Sequence, residues 1–190
     1  DIKYNSLDGF IESLKKGVFE EYEVFKSLGL YDEKNERQQI SSGILQIENE
    51  LYDSIRPKRK GASETRPIEL LSAKGIEYVE VRGIDLSPNT LTGISKSEMR
   101  LLDVFLIHCL ISESESVSQS EYDEMNKNYV TAIHSGSDLD QKLSFNGSEL
   151  SIRNKISNIS EELLLIAKEL NSIDPEFEKS VSDCLNMENK

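Results

Sequence analysis

The sequence predicts an α+β protein: a small antiparallel sheet with helices packed on it. Three observations predict it. Two segments in the first half alternate apolar and polar residues with a period of two. The rest of the chain repeats apolar residues at helical spacing. Several helical stretches open on residues suited to capping. With 190 residues, 37% of them apolar, the chain can bury a sizeable core, and we expect a single domain over 1–190.

The first helix is read over 6–29. Leu7, Phe10, Ile11, Leu14, Val18, Phe25 and Leu28 form its stripe, Ser6 its N-cap and Gly29 its stop. A strand is expected over about 43–55 (GILQIENELYDSI). It puts Leu45, Ile47 and Leu51 on one face and Glu48, Glu50 and Tyr52 on the other. A second strand is expected over about 75–85 (GIEYVEVRGID), with Tyr78, Glu80 and Arg82 sharing a face. The connection between them starts as a basic loop and ends in a helical turn opened by Pro67.

A helical tail is expected over about 95–186. Ser95 and Glu98 form a capping box for a helix to about Leu110, apolar nearly all round and so expected to be buried. A Ser/Glu linker follows at 112–120. Ser118 and Glu121 form a second capping box for a helix ending near Gly136. Residues 137–150 read as loop. A long helix runs from about Ser151 to Asn171, and Pro175 opens a last short one.

Charge narrows the partners. Lys and Arg number 22 against 35 Asp and Glu, a formal net charge of −13. That balance speaks against a general nucleic-acid binder and against binding to an anionic membrane. No apolar run approaches the roughly 18 residues of a membrane span. The two cysteines, Cys109 and Cys184, make no disulfide framework, and a reducing cytoplasm is the expected compartment.

The densest chemistry lies on the two strands. Glu80 and Arg82 are two apart, so both point to one side, about 7 Å apart along the strand. Glu80 could bind a hard cation such as Mg²⁺, and Arg82 could grip a phosphate with two nitrogens. The same pattern also describes an ion pair on a solvated sheet face. Glu48, Glu50 and Tyr52 would add to that surface if the strands are neighbours. The run Arg56-Pro57-Lys58-Arg59-Lys60 holds four cations in five residues, fit for polyphosphate or for a plain solvated loop. His108 reads as a core histidine and His134 as a cation near a helix C-terminus. Cys109 reads as a small buried hydrophobe. No GxGxxG, Walker loop, GxSxG or zinc spacing occurs.

At these same strands the chain resembles a known family. SSGILQIENELYDSIRPKR, then GIEYVEVRGIDLSP, then EMRLLDVFLIHCL resemble, in order and spacing, glutamate–cysteine ligases of the proteobacterial type. The match is dense over about 41–111 and thinner elsewhere. The resemblance implies part of a glutamine synthetase-like fold. It implies an ATP-dependent enzyme that phosphorylates the γ-carboxylate of L-glutamate and joins it to the amine of L-cysteine, giving γ-glutamylcysteine for glutathione synthesis. Mg²⁺ is the implied cofactor. The Glu of the EVR motif falls on Glu80, a metal ligand. The Arg falls on Arg82, catalytic and nucleotide-binding. The Tyr of ENELY falls on Tyr52, which contacts cysteine, and Glu50, facing the same way, joins it as a candidate substrate-binding residue.

There are departures. DLSPNTLTGI stands where the family pattern reads DINPFSPIGI, so a second proline is lost. Most metal carboxylates and a metal histidine of the family belong to an N-terminal half that this sequence does not contain. With Asp1 as its first residue, the chain is expected to be a C-terminal fragment, incomplete and inactive alone. The alternative is a non-catalytic α+β interaction or regulatory module related to the ligase.

Overall fold

A computed structural model describes residues 2–187; Asp1 and residues 188–190 of the expected 1–190 domain lie outside the described part. The chain divides into two compact units, Asp1–Asp85 and Leu86–Lys190, where the sequence led us to expect one domain. Each unit has its own buried apolar cluster.

The first unit opens with α1 (Leu7–Phe19). The Ser6 side chain accepts a hydrogen bond from the Gly9 N–H, as the sequence implied. The helix then breaks, and α2 (Glu23–Leu28) resumes after it and ends at Gly29 with φ 74°. The break comes from outside the helix. The segment around Gly43 pairs with it: the Tyr22 N–H donates to the Ser42 carbonyl at 2.8 Å, and the Leu45 N–H to the Gly17 carbonyl at 2.8 Å. A Cβ on Gly43 would lie 2.3 Å from the Val18 carbonyl oxygen, so only glycine permits this approach.

This packing also removes the expected strand over 43–55. Its backbone turns along the end of α1, makes a 3-10 turn at Glu48–Glu50, and becomes a strand only at β1 (Ile55–Lys58). The alternation expected to bury Ile47 and expose Glu48 is inverted, with Ile47 exposed and Glu48 buried. β1 is followed by α3 (Pro67–Lys74), with Pro67 in its first turn, and by β2 (Tyr78–Val81). β1 and β2 pair antiparallel, with Arg56 opposite Glu80 and Lys58 opposite Tyr78. The second expected strand therefore exists, shortened at both ends. Phe10, Ile11 and Leu14 of α1 pack with Ile68 and Leu71 of α3, and Leu45 and Leu51 pack against this cluster.

The second unit is helical apart from one hairpin. α4 (Lys96–Ile111) and α5 (Gln119–Ser135) both carry the capping boxes read from the sequence. α4 is not buried all round: Val104 is, while Phe105, Leu110 and Ile111 are exposed, and so is Cys109. The expected loop at 137–150 contains β3 (Lys142–Phe145) and β4 (Ser148–Ser151). They are joined by Asn146 and Gly147 at φ 50° and 74°, the positive pair that a tight hairpin turn requires. The Glu124 carboxylate clasps this turn, accepting from the Asn146 and Gly147 N–H groups and from the Ser144 hydroxyl. These bonds hold its pKa below the ordinary carboxylate value, the Ser144 hydroxyl foremost. α6 (Ile152–Leu170) and α7 (Phe177–Met187) complete the unit, with Val104, Leu163, Ala167 and Val181 at its centre. Among the described residues, no helix is long and apolar enough to cross a membrane.

Candidate nucleotide and substrate site

The first unit brings the sequence-predicted residues together around β2. Glu80 lies in the strand and Arg82 one residue past its end. Arg82 stays on the Glu80 side of the ribbon, where its Nε and one terminal nitrogen donate to a single Glu80 oxygen at 3.2 and 2.9 Å. Its N–H donates to the Ser54 carbonyl at 2.7 Å, which extends the ladder and fixes its backbone. The other Glu80 oxygen faces Lys58 Nζ at 3.7 Å. Arg56, buried, stands opposite Glu80 in register.

One carboxylate therefore sits among three cations. The Arg82 hydrogen bond is the main cause that lowers the Glu80 pKa; partial burial opposes it, and the charges of Lys58, Arg82 and Arg56 add to it. The sign is that of a depressed acid. Its contribution to stability is present above the ordinary carboxylate pKa and is lost as pH falls through the lowered value. We expect a carbon-detected NMR titration of Glu80 to show a midpoint below the ordinary 4.5. Arg82→Gln should return it toward that value; an unmoved midpoint would contradict the arrangement.

Tyr52 meets the same surface from the segment before β1. The Arg82 guanidinium carbon lies 5.5 Å from its ring centroid, within cation–π range. Otherwise Tyr52 is 82% exposed and open to a ligand. The neighbouring segment is tied down by Tyr4, whose hydroxyl lies 2.8 Å from Asp53 Oδ2 and 3.0 Å from the Ile55 carbonyl oxygen. Glu50 does not join the cluster. Its carboxylate turns back to accept from the Gln46 N–H at 2.5 Å, which stabilises the local turn. The expected shared face of Glu48, Glu50 and Tyr52 is lost because these residues lie on a 3-10 turn and its exit. The basic loop is partly neutralised: Arg59 pairs with Glu77 at 3.8 Å, and Lys60 lies 5.8 Å from the Tyr78 ring centroid. His108 belongs to the second unit, where Nδ1 lies 3.4 Å from Glu162.

The donor set does not make a cation site by itself. Among the described residues, no three His, Cys, Asp or Glu side chains gather to hold a metal ion. Both Glu80 oxygens already face cations. What the ribbon offers is positive: Arg82, Lys58 and Arg56 around one aligned carboxylate, beside an open phenol. Such a surface accepts a phosphate or carboxylate group.

Comparisons with known proteins identify the family. The family model of glutamate–cysteine ligase matches residues 1–132. A glutamate–cysteine ligase of Pseudomonas savastanoi pv. phaseolicola is 34% identical over 165 residues, covering 87% of this chain and 31% of the relative. One from Buchnera aphidicola subsp. Acyrthosiphon pisum (strain APS) is 35% identical, covering 97% of this chain and 35% of the relative. A crystal structure of the Francisella tularensis glutamate–cysteine ligase in complex with AMP matches the whole chain with a TM-score of 0.90 at 28% identity, over 38% of its own length. The α+β class and its glutamine synthetase-like frame, expected from the sequence, hold. The chain spans about a third of the length of the curated relatives it matches. On the family match and the relatives together, this chain belongs to the glutamate–cysteine ligase family.

Proposed function

We propose that this chain is part of a cytoplasmic ligase that uses ATP to join the γ-carboxylate of L-glutamate to the amine of L-cysteine. The observation that carries the reading is the Glu80–Arg82–Lys58 cluster with Tyr52 against it. ATP first phosphorylates the γ-carboxylate, and the cysteine amine then displaces phosphate. Neither step needs a covalent intermediate with the protein; both need charge stabilisation and positioning. Arg82 is the catalytic and nucleotide-binding group, facing the phosphate oxygens as negative charge shifts during transfer. Lys58 and Arg56 add positive potential. Glu80 fixes the Arg82 fork by accepting two hydrogen bonds from it. Glu80 is also proposed as one oxygen ligand of Mg²⁺, a role in which its Oε1 would exchange the Lys58 contact for the ion, with the other donors supplied from outside this chain. Tyr52 uses its hydroxyl to orient cysteine.

The test is the full-length ligase with ATP, Mg²⁺, glutamate and cysteine. Tyr52→Phe removes one hydroxyl and keeps the ring on Arg82. The loss of one hydrogen bond, about 1–1.5 kcal/mol, is expected to raise the KM for cysteine about tenfold. The KM for ATP should stay within a factor of two or so on the same grounds. If γ-glutamylcysteine forms with an unchanged cysteine KM, Tyr52 does not contact that substrate. If the full-length protein makes no γ-glutamylcysteine, the related non-catalytic module is the better reading.

A further inference from the structure

Glu48 is the buried charge that the candidate site leaves unexplained. It is 4% exposed, in an otherwise accessible stretch of chain. Its Oε1 lies 2.8 Å from Arg66 Nε. The Arg66 guanidinium carbon lies 4.7 Å from the Phe19 ring centroid. Arg66 immediately precedes α3, and Phe19 is the last residue of α1. Glu48 on the 3-10 turn thus forms an ion pair with Arg66 at the start of α3, with no aligned hydrogen bond to its Oε1, and Arg66 in turn lies over Phe19 at the end of α1. A buried carboxylate is costly without a partner, so a pair of this kind is tightly dependent on both members.

The turn leads directly to Tyr52. The Leu51 N–H closes the turn on the Glu48 carbonyl at 3.2 Å, and the Leu51 side chain packs against the apolar cluster of the first unit. Beyond Tyr52, Tyr4 holds Asp53 and the Ile55 carbonyl. The Tyr52 ring, largely in solvent, draws little positional information from its own packing. Its place over Arg82 is set by the backbone anchors on either side. We propose that Glu48, through Arg66, is the positioning residue for Tyr52, and so tunes recognition of the amino-acid substrate that Tyr52 faces. This rests on the role given to Tyr52 above.

The test uses the full-length ligase and three variants. Glu48→Gln keeps the shape and removes the charge; Arg66→Gln removes the partner; Tyr52→Ala removes the group being positioned. A small displacement of an orienting group has large kinetic consequences, so Glu48→Gln is expected to raise the KM for cysteine about tenfold. The KM for ATP and kcat should change little. Arg66→Gln should reproduce that profile, and Glu48→Asp should restore part of the loss. Glu48→Gln combined with Tyr52→Ala should be no worse in cysteine KM than Tyr52→Ala alone. Equal rises in every KM, additive effects in the double variant, or a wild-type profile would overturn the proposal. Hydrogen exchange of the amides at 49–53 separates the two layers. If Tyr52→Ala leaves cysteine KM unchanged, the substrate role of Tyr52 has failed; faster exchange in Glu48→Gln still supports positioning, and unchanged exchange overturns it.

Discussion

Arg82→Ala in the full-length ligase is expected to lower kcat for ADP release by about 10²–10³-fold at saturating glutamate and cysteine. The guanidinium does two things at once that alanine cannot. In its proposed role it offers donors to an oxygen whose charge grows during transfer, and it fixes the Glu80 carboxylate through two nitrogens. Removing it leaves Glu80 facing Lys58 and Arg56 alone, and takes away the cation over the Tyr52 ring. Arg82→Lys keeps the charge but not the planar fork or the stacking, so it should recover only part of the loss. A coupled assay of ADP release decides the matter. An Arg82→Ala enzyme with wild-type kcat would leave the cluster as an ion pair on a solvated surface, the other reading open from the sequence alone.

Phe10→Ala is expected to destabilise the first unit by about 3–5 kcal/mol. Phe10 is 4% exposed and packs in a cluster with four other buried side chains, Ile11, Leu14, Ile68 and Leu71. A cluster this small has few neighbours able to collapse into the space an aromatic ring leaves. The effect should reach the site, because Leu51, next to Tyr52 in sequence, packs on the same cluster. Thermal unfolding of the full-length protein and of the variant, followed alongside ligase activity at moderate temperature, checks both parts. A loss of less than about 1 kcal/mol would mean that the space is refilled or shared with solvent.

The helices were the legible part of the fold, because their signals are local. Ser95 with Glu98, Ser118 with Glu121, Ser151 and Pro67 each mark a helix start where the structure has one. The turn at Asn146-Gly147 carries an equally local signal, visible in the sequence, yet the loop reading passed over it. The segment 43–54 was not legible. Its period-two pattern is genuine, but the Ser42 carbonyl accepts from the Tyr22 N–H, the Leu45 N–H donates to the Gly17 carbonyl of α1, and Glu48 is drawn inward by Arg66. Those partners lie 18 to 28 residues away in sequence, and nothing in the alternation announces them. Similarly, the apolar run of α4 told of hydrophobic composition and not of what covers it, and Leu110 and Ile111 stand exposed.

Within the site, Glu80 and Arg82 were the easiest to place. A strand forces residues two apart to one side, and that geometry survives even where the strand ends at Val81. Tyr52 reached the same surface by another route: an irregular segment, and not a neighbouring strand, carries it there. Glu50 was misplaced for the same reason, since a 3-10 turn sends its carboxylate back along the chain.

The ribbon of β1 and β2 has, among the described residues, just two strands of four residues each. Each strand has a neighbouring strand on one flank only, and on the other the Ile55 carbonyl of β1 accepts from the Tyr4 hydroxyl. Two strands this short are marginal as a free-standing element. A further strand laid along a free flank would widen this two-stranded floor and stiffen the platform that carries the Arg82 guanidinium.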